Sequence, residues 1–381
     1  MTFNNLMLSE PILKALNQAG YTHPTPIQEK AILPILQGRD IFGCAQTGTG
    51  KTAAFALPIL ELLNQKPKTP SIKTLVLAPT RELAQQISDN FAMYSKFLSI
   101  THTTVFGGVS QRNQERELRK GVDVLIATPG RLIDLMDQGL VSLDKIDFFV
   151  LDEADRMLDM GFINDIKRIL KKLPSKRQTL FFSATAAKEI LNLANTLLKS
   201  PVHISVTPVS SATELVEQSI YYVSKEDKRS LLKHVLETEN VDRALVFTRT
   251  KRGADRVSKE LNKNGIHSEA IHGNKSQGAR ERALEGFKNK KIQVLVATDI
   301  ASRGIDIDKL SHVINFEIPE QAETYVHRIG RTGRAGTSGI ALSFVSNEER
   351  SYMKEINKLI NKNIPVIGNH PFAKVKSNNN Q

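Results

Sequence analysis

From residue 40 the chain alternates short apolar runs with longer stretches whose apolar residues recur at helical spacing. TLVLA (74–78), TTVFG (103–107), DVLIAT (123–128), DFFVL (147–151) and TLFFSA (179–184) read as strands. Continuous apolar runs of this length suit strands that are covered on both faces. The segments between them, such as RELAQQISDNFAMYSKF (81–97), carry the 3.6-residue pattern of helices. Strand and helix in turn predict an α/β fold with a mostly parallel sheet.

After PVHISVTPVSSATELVEQ (201–218) the same grammar restarts. RALVFT (243–248), SEAIHG (268–273), IQVLVATD (292–299), HVINFEI (312–318) and IALSFV (340–345) are again strands separated by helical patterns. DVLIATPGR (123–131) and QVLVATDIASR (293–303) share a strand, an Ala-Thr exit and an arginine, which favours two related domains. At 381 residues the chain exceeds the size at which one core stops growing. The expected division is a first domain over 1–206, a Pro/Ser-rich linker over 207–217, a second domain over 218–365 and a disordered tail over 366–381.

Charge adds a partner class. Lys and Arg number 52 against 40 Asp and Glu, leaving +12 and a pI near 9.6. Such a field attracts polyanions, of which nucleic acid is the commonest in a cell. Cys44 is the single cysteine, so an internal disulfide and a cysteine-based zinc cluster are excluded. The N-terminus lacks a cationic segment followed by an apolar one, and no run of about 18 apolar residues exists, so the expected location is cytoplasmic.

Three short segments carry the chemistry. AQTGTGKT (45–52) follows the apolar run DIFGC and precedes a helical pattern, the strand–loop–helix setting of a phosphate loop. Gly48 and Gly50 let backbone N–H groups approach phosphate, Lys51 would reach the β and γ phosphates, and Thr52 would ligate Mg²⁺. Ala45 stands where the strict pattern begins with Gly. LDEAD (151–155) ends a strand, so that Asp152 is suited to hold Mg²⁺ and Glu153 to orient an attacking water. HRIGRTGR (327–334) sets Arg328, Arg331 and Arg334 three apart on one glycine-broken segment, a cluster of cations suited to an anion.

Taken with PTRELA (79–84), TPGR (128–131) and SAT (183–185), these motifs resemble the DEAD-box RNA helicases of helicase superfamily 2. The resemblance spans roughly residues 3 to 345, in the family's motif order. MTFNNLMLSEPILKAL and KSQGARERAL look closest to the bacterial RhlE-like subgroup. It implies two tandem RecA-like domains joined by a flexible linker, with ATP and Mg²⁺ bound at the cleft between them. Arg331 and Arg334 would then be arginine fingers, delivered from the second domain when the domains close.

The resemblance also assigns residues. In the first domain it gives RNA contact to Pro79, Thr80, Arg81, Gly107, Gly108, Thr128, Gly130 and Arg131. In the second it gives Arg249, Gly273, Thr298 and Asp299. Arginines, hydroxyls and glycine backbones suit phosphate and sugar rather than base edges, so sequence-independent binding of single-stranded RNA or short duplexes follows. GYTHPTPIQ (20–28) resembles the adenine-reading element, with Tyr21, Gln28 and Phe3 beside the base, where Phe3 is alternatively a core anchor. Thr47, Gly48, Thr49, Gly50, Lys51 and Thr52 would surround the phosphates, and Asp306 would meet the ribose. Ser183, Thr185, Asp155 and His327 would couple the two sites, Asp155 being alternatively a helix cap. Asn274, in IHGN, departs from the family's usual Asp.

The implied activity is an RNA-stimulated ATPase that unwinds short duplexes as a monomer, with ribosomal or RNA-decay proteins as partners. An ATP-gated RNA clamp shares every motif. A DNA-translocating helicase and a metabolite-phosphorylating kinase are the more distant alternatives.

Overall fold

The computed structural model describes residues 2–46, 48–67, 69, 71–206, 216–239, 241–302, 310–333 and 339–373. The chain divides into two compact units, Met1–Thr207 and Pro208–Gln381, parted at the start of the expected linker.

The first unit is built on seven strands: β1 (Ile41–Cys44), β2 (Thr74–Leu77), β3 (His102–Val105), β4 (Val124–Ala127), β5 (Phe148–Leu151), β6 (Gln178–Ser183) and β7 (Val202–Ser205). They lie in the order β3-β4-β2-β5-β6-β1-β7, and every pair is parallel. The second holds β8 (Val216–Tyr222), β9 (Ala244–Phe247), β10 (Ser268–Ile271), β11 (Val294–Ala297), β12 (His312–Asn315) and β13 (Gly339–Val345). Their order is β10-β11-β9-β12-β13-β8, again all parallel. Counted from its own first strand, each unit follows one permutation, 3-4-2-5-6-1, and the first adds an edge strand. The two units share one topology, as the resemblance to two tandem RecA-like domains implies, and the matched segments 123–131 and 293–303 both include the fourth strand.

Burial explains why the strands read as unbroken apolar runs. In the first sheet Val76, Ile126, Val150, Leu180 and Phe182 face one core, while Leu75, Leu77, Leu125, Phe149 and Phe181 face the other. Each fully buried side chain of this size contributes about 1.5–3 kcal/mol, so neither face tolerates a polar period. Gly43 in β1 is required by close approach: a Cβ there would sit 2.5 Å from the Phe182 ring.

Two features were hidden. β7 and β8 fall within or beside the stretch read as a connection, and Val216 and Glu217, assigned to the linker, already pair with Gly339 and Ile340. Both are edge strands with exposed positions, such as His203 and Glu217, so they lack the continuous apolar run that marks the others. Residues 366–373, expected as part of the tail, are ordered against the second unit. The Ile220 N–H donates to the Pro365 carbonyl and the Ile367 N–H to the Ile220 carbonyl, both at 2.8 Å, which extends the sheet past β8. Ile367 and Phe372 then pack on the core of the second unit. Thr207 and the rest of the linker up to residue 215, like residues 374–381, lie outside the described residues.

Candidate functional site

In a parallel sheet the loops at the carboxyl ends of the strands share one rim, where such folds bind ligands. In the first unit the exits of β5, β6 and β1, adjacent in the sheet, carry the DEAD segment, the SAT segment and the phosphate loop. Those of β3, β4 and β2, also adjacent, carry Gly107–Gly108, Thr128–Arg131 and Pro79–Arg81. The residues assigned to nucleotide and to RNA are thus segregated onto two halves of one rim. In the second unit Arg249, Gly273 and Thr298–Asp299 follow β9, β10 and β11, the three strands of the corresponding half.

The phosphate loop turns through Gly48 (φ 85°) and Gly50 (φ 90°), left-handed conformations that glycine adopts without strain. Gly50 caps the helix Lys51–Asn64, whose N-terminus adds unpaired N–H groups and a positive dipole end. Lys51 is buried, and its Nζ donates to the Ala45 carbonyl at 2.8 Å. Thr25 closes a capping box with Gln28 at the head of the helix Pro26–Leu36. The Thr25 hydroxyl donates to the Thr49 carbonyl at 2.8 Å, and Gln28 Nε2 to the Gly50 carbonyl at 3.1 Å. Gln28 therefore braces the phosphate loop as well as standing beside it. Its amide keeps one further donor and one further lone pair for an adenine edge. Thr47 lies outside the described residues.

Asp152 and Glu153 are both buried at the end of β5. Burial pushes the Asp152 carboxyl up to about 6, opposed by the Lys51 ammonium and reinforced by the neighbouring carboxylates Glu153 and Asp155. Glu153 has a left-handed backbone, φ 53°, a strain of roughly 1 kcal/mol for a residue with a Cβ. Arg156, one helical turn on, pairs with the Glu153 carboxylate in the buried interior. No cluster of three or more His, Cys, Asp or Glu able to hold a metal exists among the described residues. Mg²⁺ does not need one, since it keeps several waters and binds through one or two protein oxygens and substrate phosphates. Thr52 and the buried Asp152 carboxyl fit that habit.

The exit of β6 joins these elements. The Ala45 N–H donates to the Ser183 carbonyl at 2.9 Å, and the Ala184 N–H donates to Asp155 Oδ2 at 3.1 Å. The Ser183 hydroxyl accepts from the Thr185 N–H at 3.3 Å. The SAT segment therefore bonds the start of the phosphate loop and the DEAD segment at once, reaching Asp155 through the Ala184 N–H. Asp155 lies in the first turn of the helix Ala154–Asp159, but its observed partner is Ala184. Cys44 is half-buried, with its thiol toward the Ala184 carbonyl at 3.8 Å, and burial pushes its pKa up.

Phe3 is buried and packs edge-on against Tyr21, which packs edge-on against Tyr94; the two Tyr hydroxyls are 3.1 Å apart. This is the core-anchor arrangement for Phe3, whose ring is spent on Tyr21.

On the other half of the rim, Thr80 caps the helix Arg81–Tyr94 by accepting from the Leu83 N–H at 3.3 Å. The Arg81 guanidinium lies on Gly108: a Cβ at Gly108, whose φ is 78°, would be 2.0 Å from Arg81 Nη1. Arg131 is nearly buried; its Nε lies 4.0 Å from the exposed Asp134 carboxylate, and neither Nε nor Nη1 makes a hydrogen bond. Guanidinium N–H groups without hydrogen-bond acceptors are suited to an anion that supplies them.

The second unit alters the expected roles. Arg328 is the buried partner of Asp299, so neither is a free group on the rim. Arg249 and Asp299 line one concavity of about 300 Å³ with Pro319, Glu320, Gln321 and Thr324. Arg249 Nη2 donates to Glu349 Oε1 at 3.4 Å and Nη1 lies 3.6 Å from Glu320 Oε1. Thr298 is buried, and Gly273 is exposed beside Lys251 and Asn274, whose side chains bond at 2.8 Å. Lys251 is thus the partner of Asn274, the residue that departs from the family's usual Asp. His327 lies in the last turn of the helix Ala322–Ile329, and Arg331 lies on the turn after it. Asp306 and Arg334 fall outside the described residues.

Sequence reasoning missed Arg156 and the buried pair Lys228 and Glu349, and grouped Arg328 with the cations suited to an anion. A charged residue inside an amphipathic helix reads as solvated surface, and only the fold reveals its buried partner.

A parallel α/β sheet with a phosphate loop and strand-end acids defines a nucleotide-binding protein of the doubly wound class. Residues 25–193 match the DEAD/DEAH box helicase family and residues 227–336 the helicase conserved C-terminal domain. The ATP-dependent RNA helicase CshA of Limosilactobacillus reuteri is 43% identical over 94% of this chain and 72% of its own length. The DEAD-box ATP-dependent RNA helicase RhpA of Helicobacter pylori is 43% identical over 96% of this chain and 74% of its own. Among solved structures, S. cerevisiae Dbp5 bound to RNA and ADP BeF3 superposes with a TM-score of 0.88 at 30% identity, covering 96% and 95% of the two chains. Mss116p bound to ssRNA and AMP-PNP gives 0.84 at 28% identity, covering 96% and 79%. The chain belongs to the DEAD/DEAH box helicase family.

Proposed function

We propose that the chain is an ATP-dependent RNA helicase: an RNA-stimulated ATPase that grips one strand by its backbone and opens short duplexes locally. The observation that carries this reading is the division of the rim. Lys51, Thr52, Asp152 and Glu153 gather at β1 and β5, while Arg81, Gly107, Gly108 and Arg131 gather at β2, β3 and β4, with the SAT segment bonded across the nucleotide half. Relatives named as ATP-dependent RNA helicases, and similar structures bound to RNA together with a nucleotide analogue, support it.

In the reaction Lys51 neutralises the β and γ phosphates, and Glu153 accepts the proton of the attacking water. Mg²⁺, held through Thr52 and Asp152, would supply charge stabilisation at the phosphates. Gln28 selects adenine by its remaining donor and acceptor. Arg331 and Arg334, carried on the second unit, complete the charge stabilisation when both units engage one substrate. Arginine fingers are worth about 10³–10⁵ in rate, so without engagement hydrolysis is nearly silent. Arginine, hydroxyl and glycine contacts to phosphate and sugar give sequence-independent binding, and contact to the 2′-hydroxyl selects RNA.

Steady-state ATPase measured with Mg²⁺, alone and with single-stranded RNA or matched DNA, tests this reading. Stimulation by RNA, abolished in Glu153→Gln and Arg331→Ala, is the expected result. Equal turnover without nucleic acid overturns it. A strand-displacement assay then separates unwinding from an ATP-gated clamp, which would hold RNA without releasing its complement.

A further inference from the structure

The helix Gln111–Arg119, QRNQERELR, has no apolar stripe, and its one buried residue is a polar one, Gln114. A buried amide costs free energy unless its bonds are made, so its presence calls for a partner of consequence. Gln114 Nε2 donates to the Phe106 carbonyl at 3.1 Å, while Oε1 is buried with no partner. Only one side of the amide is used, and it is the side that grips the chain where β3 ends.

The geometry of the peptide gives that bond its meaning. The Phe106 carbonyl and the Gly107 N–H belong to one planar unit, so fixing the carbonyl also fixes the direction of the N–H. Gly107 and Gly108 have no side chain to hold this plane, and Gly108 sits under the Arg81 guanidinium. We infer that Gln114 is a positioning residue for RNA binding: it sets the Phe106–Gly107 peptide plane, and with it the Gly107 donor beside Arg81, without touching RNA itself. Its Oε1 is closed to solvent and therefore to a strand on the surface. The inference rests on the reading of the chain as an RNA-stimulated ATPase.

Gln114→Met keeps the length of the side chain and removes both the donor and the unpartnered acceptor. Gln114→Leu removes the same donor and acceptor with a smaller apolar side chain, a second route should the first variant fold poorly. The full-length chain and both variants would be compared by ATPase titration with single-stranded RNA and by thermal unfolding. The RNA concentration giving half-maximal stimulation should rise about five- to tenfold, the loss of one net hydrogen bond. Turnover at saturating RNA and the KM for ATP should stay within about twofold, because the nucleotide half of the rim is untouched. A lower unfolding midpoint with unchanged half-saturation overturns the inference and makes Gln114 a structural residue only. If the unaltered chain shows no RNA stimulation, the functional reading falls first. If it is stimulated and the variants match it, the inference alone falls.

Discussion

Arg328 holds Asp299 by two parallel bonds, Nε to Oδ1 at 2.6 Å and Nη2 to Oδ2 at 2.8 Å. Nη1 donates to Asn315 Oδ1 at 3.1 Å and to the Glu317 carbonyl at 2.6 Å, and the guanidinium lies 4.9 Å from the Phe247 ring centre. One buried side chain thus ties the exits of β9, β11 and β12 to the helix Ala322–Ile329. Of the three arginines that the sequence presented as one cationic cluster, Arg328 is structural.

Arg328→Lys keeps the charge and loses the fork that meets carboxylate and carbonyl together. The second unit should lose about 2–4 kcal/mol, somewhat under the range for a fully buried pair because the Asp299 side chain is 26% exposed. Urea unfolding of the variant would read this directly, and an unchanged midpoint would contradict it.

Lys228 and Glu349 form a further buried pair in that unit, with Nζ 2.5 Å from Oε2 and both side chains 2% exposed. Glu349 also accepts from the Ser346 N–H, the Ser346 hydroxyl and the Ile318 N–H, so its carboxyl stays below the usual range despite burial, while burial lowers Lys228. Glu349→Ala leaves an uncompensated ammonium and should cost about 3–5 kcal/mol. Lys228→Met combined with Glu349→Leu should recover only part of that loss in thermal unfolding, because the Ser346 and Ile318 donors stay without an acceptor.

Asp152 sets a pH dependence. Its folded pKa is raised from 3.8 to about 6, so the native state binds the extra proton between those values. The stability it contributes is present below about 4 and is lost as pH rises through about 6. Asp152→Asn should therefore gain on the unaltered chain across that window, by about 1–3 kcal/mol at neutral pH without nucleotide. Unfolding midpoints of both proteins measured from pH 4 to 7 check the sign; parallel curves would refute it. The same variant should hydrolyse ATP poorly.

Gly108 is the position where a single methyl group meets Arg81. Gly108→Ala forces the guanidinium aside and strains the backbone by about 1 kcal/mol. Half-saturation by RNA should rise about tenfold or more, with the KM for ATP unaltered. A variant indistinguishable from the parent in RNA titration would separate Arg81 and Gly108 from strand binding.

The sequence by itself determined the repeating unit and most of its strands. The interior strands, β2, β4, β5, β9, β11 and β12 among them, are buried on both faces, and no solvent-facing period interrupts their apolar runs. Glycines at 48 and 50, ahead of Lys51, announced the phosphate loop because few other local contexts favour that combination. Edge strands β7 and β8 stayed hidden because their exposed positions look like linker.

Only the tertiary structure decided which polar residues serve ligands and which serve the fold. Arg328 reads as part of a cationic cluster, yet it is buried and spent on Asp299. Gln28 matches a base-reading element, and it also braces Gly50. Gln114 sits in a helix that reads as solvated throughout, yet it is buried against the Phe106 carbonyl. A charge or an amide is not assigned until its partners are, and in a parallel sheet those partners come from loops that adjoin on the rim but lie far apart along the chain.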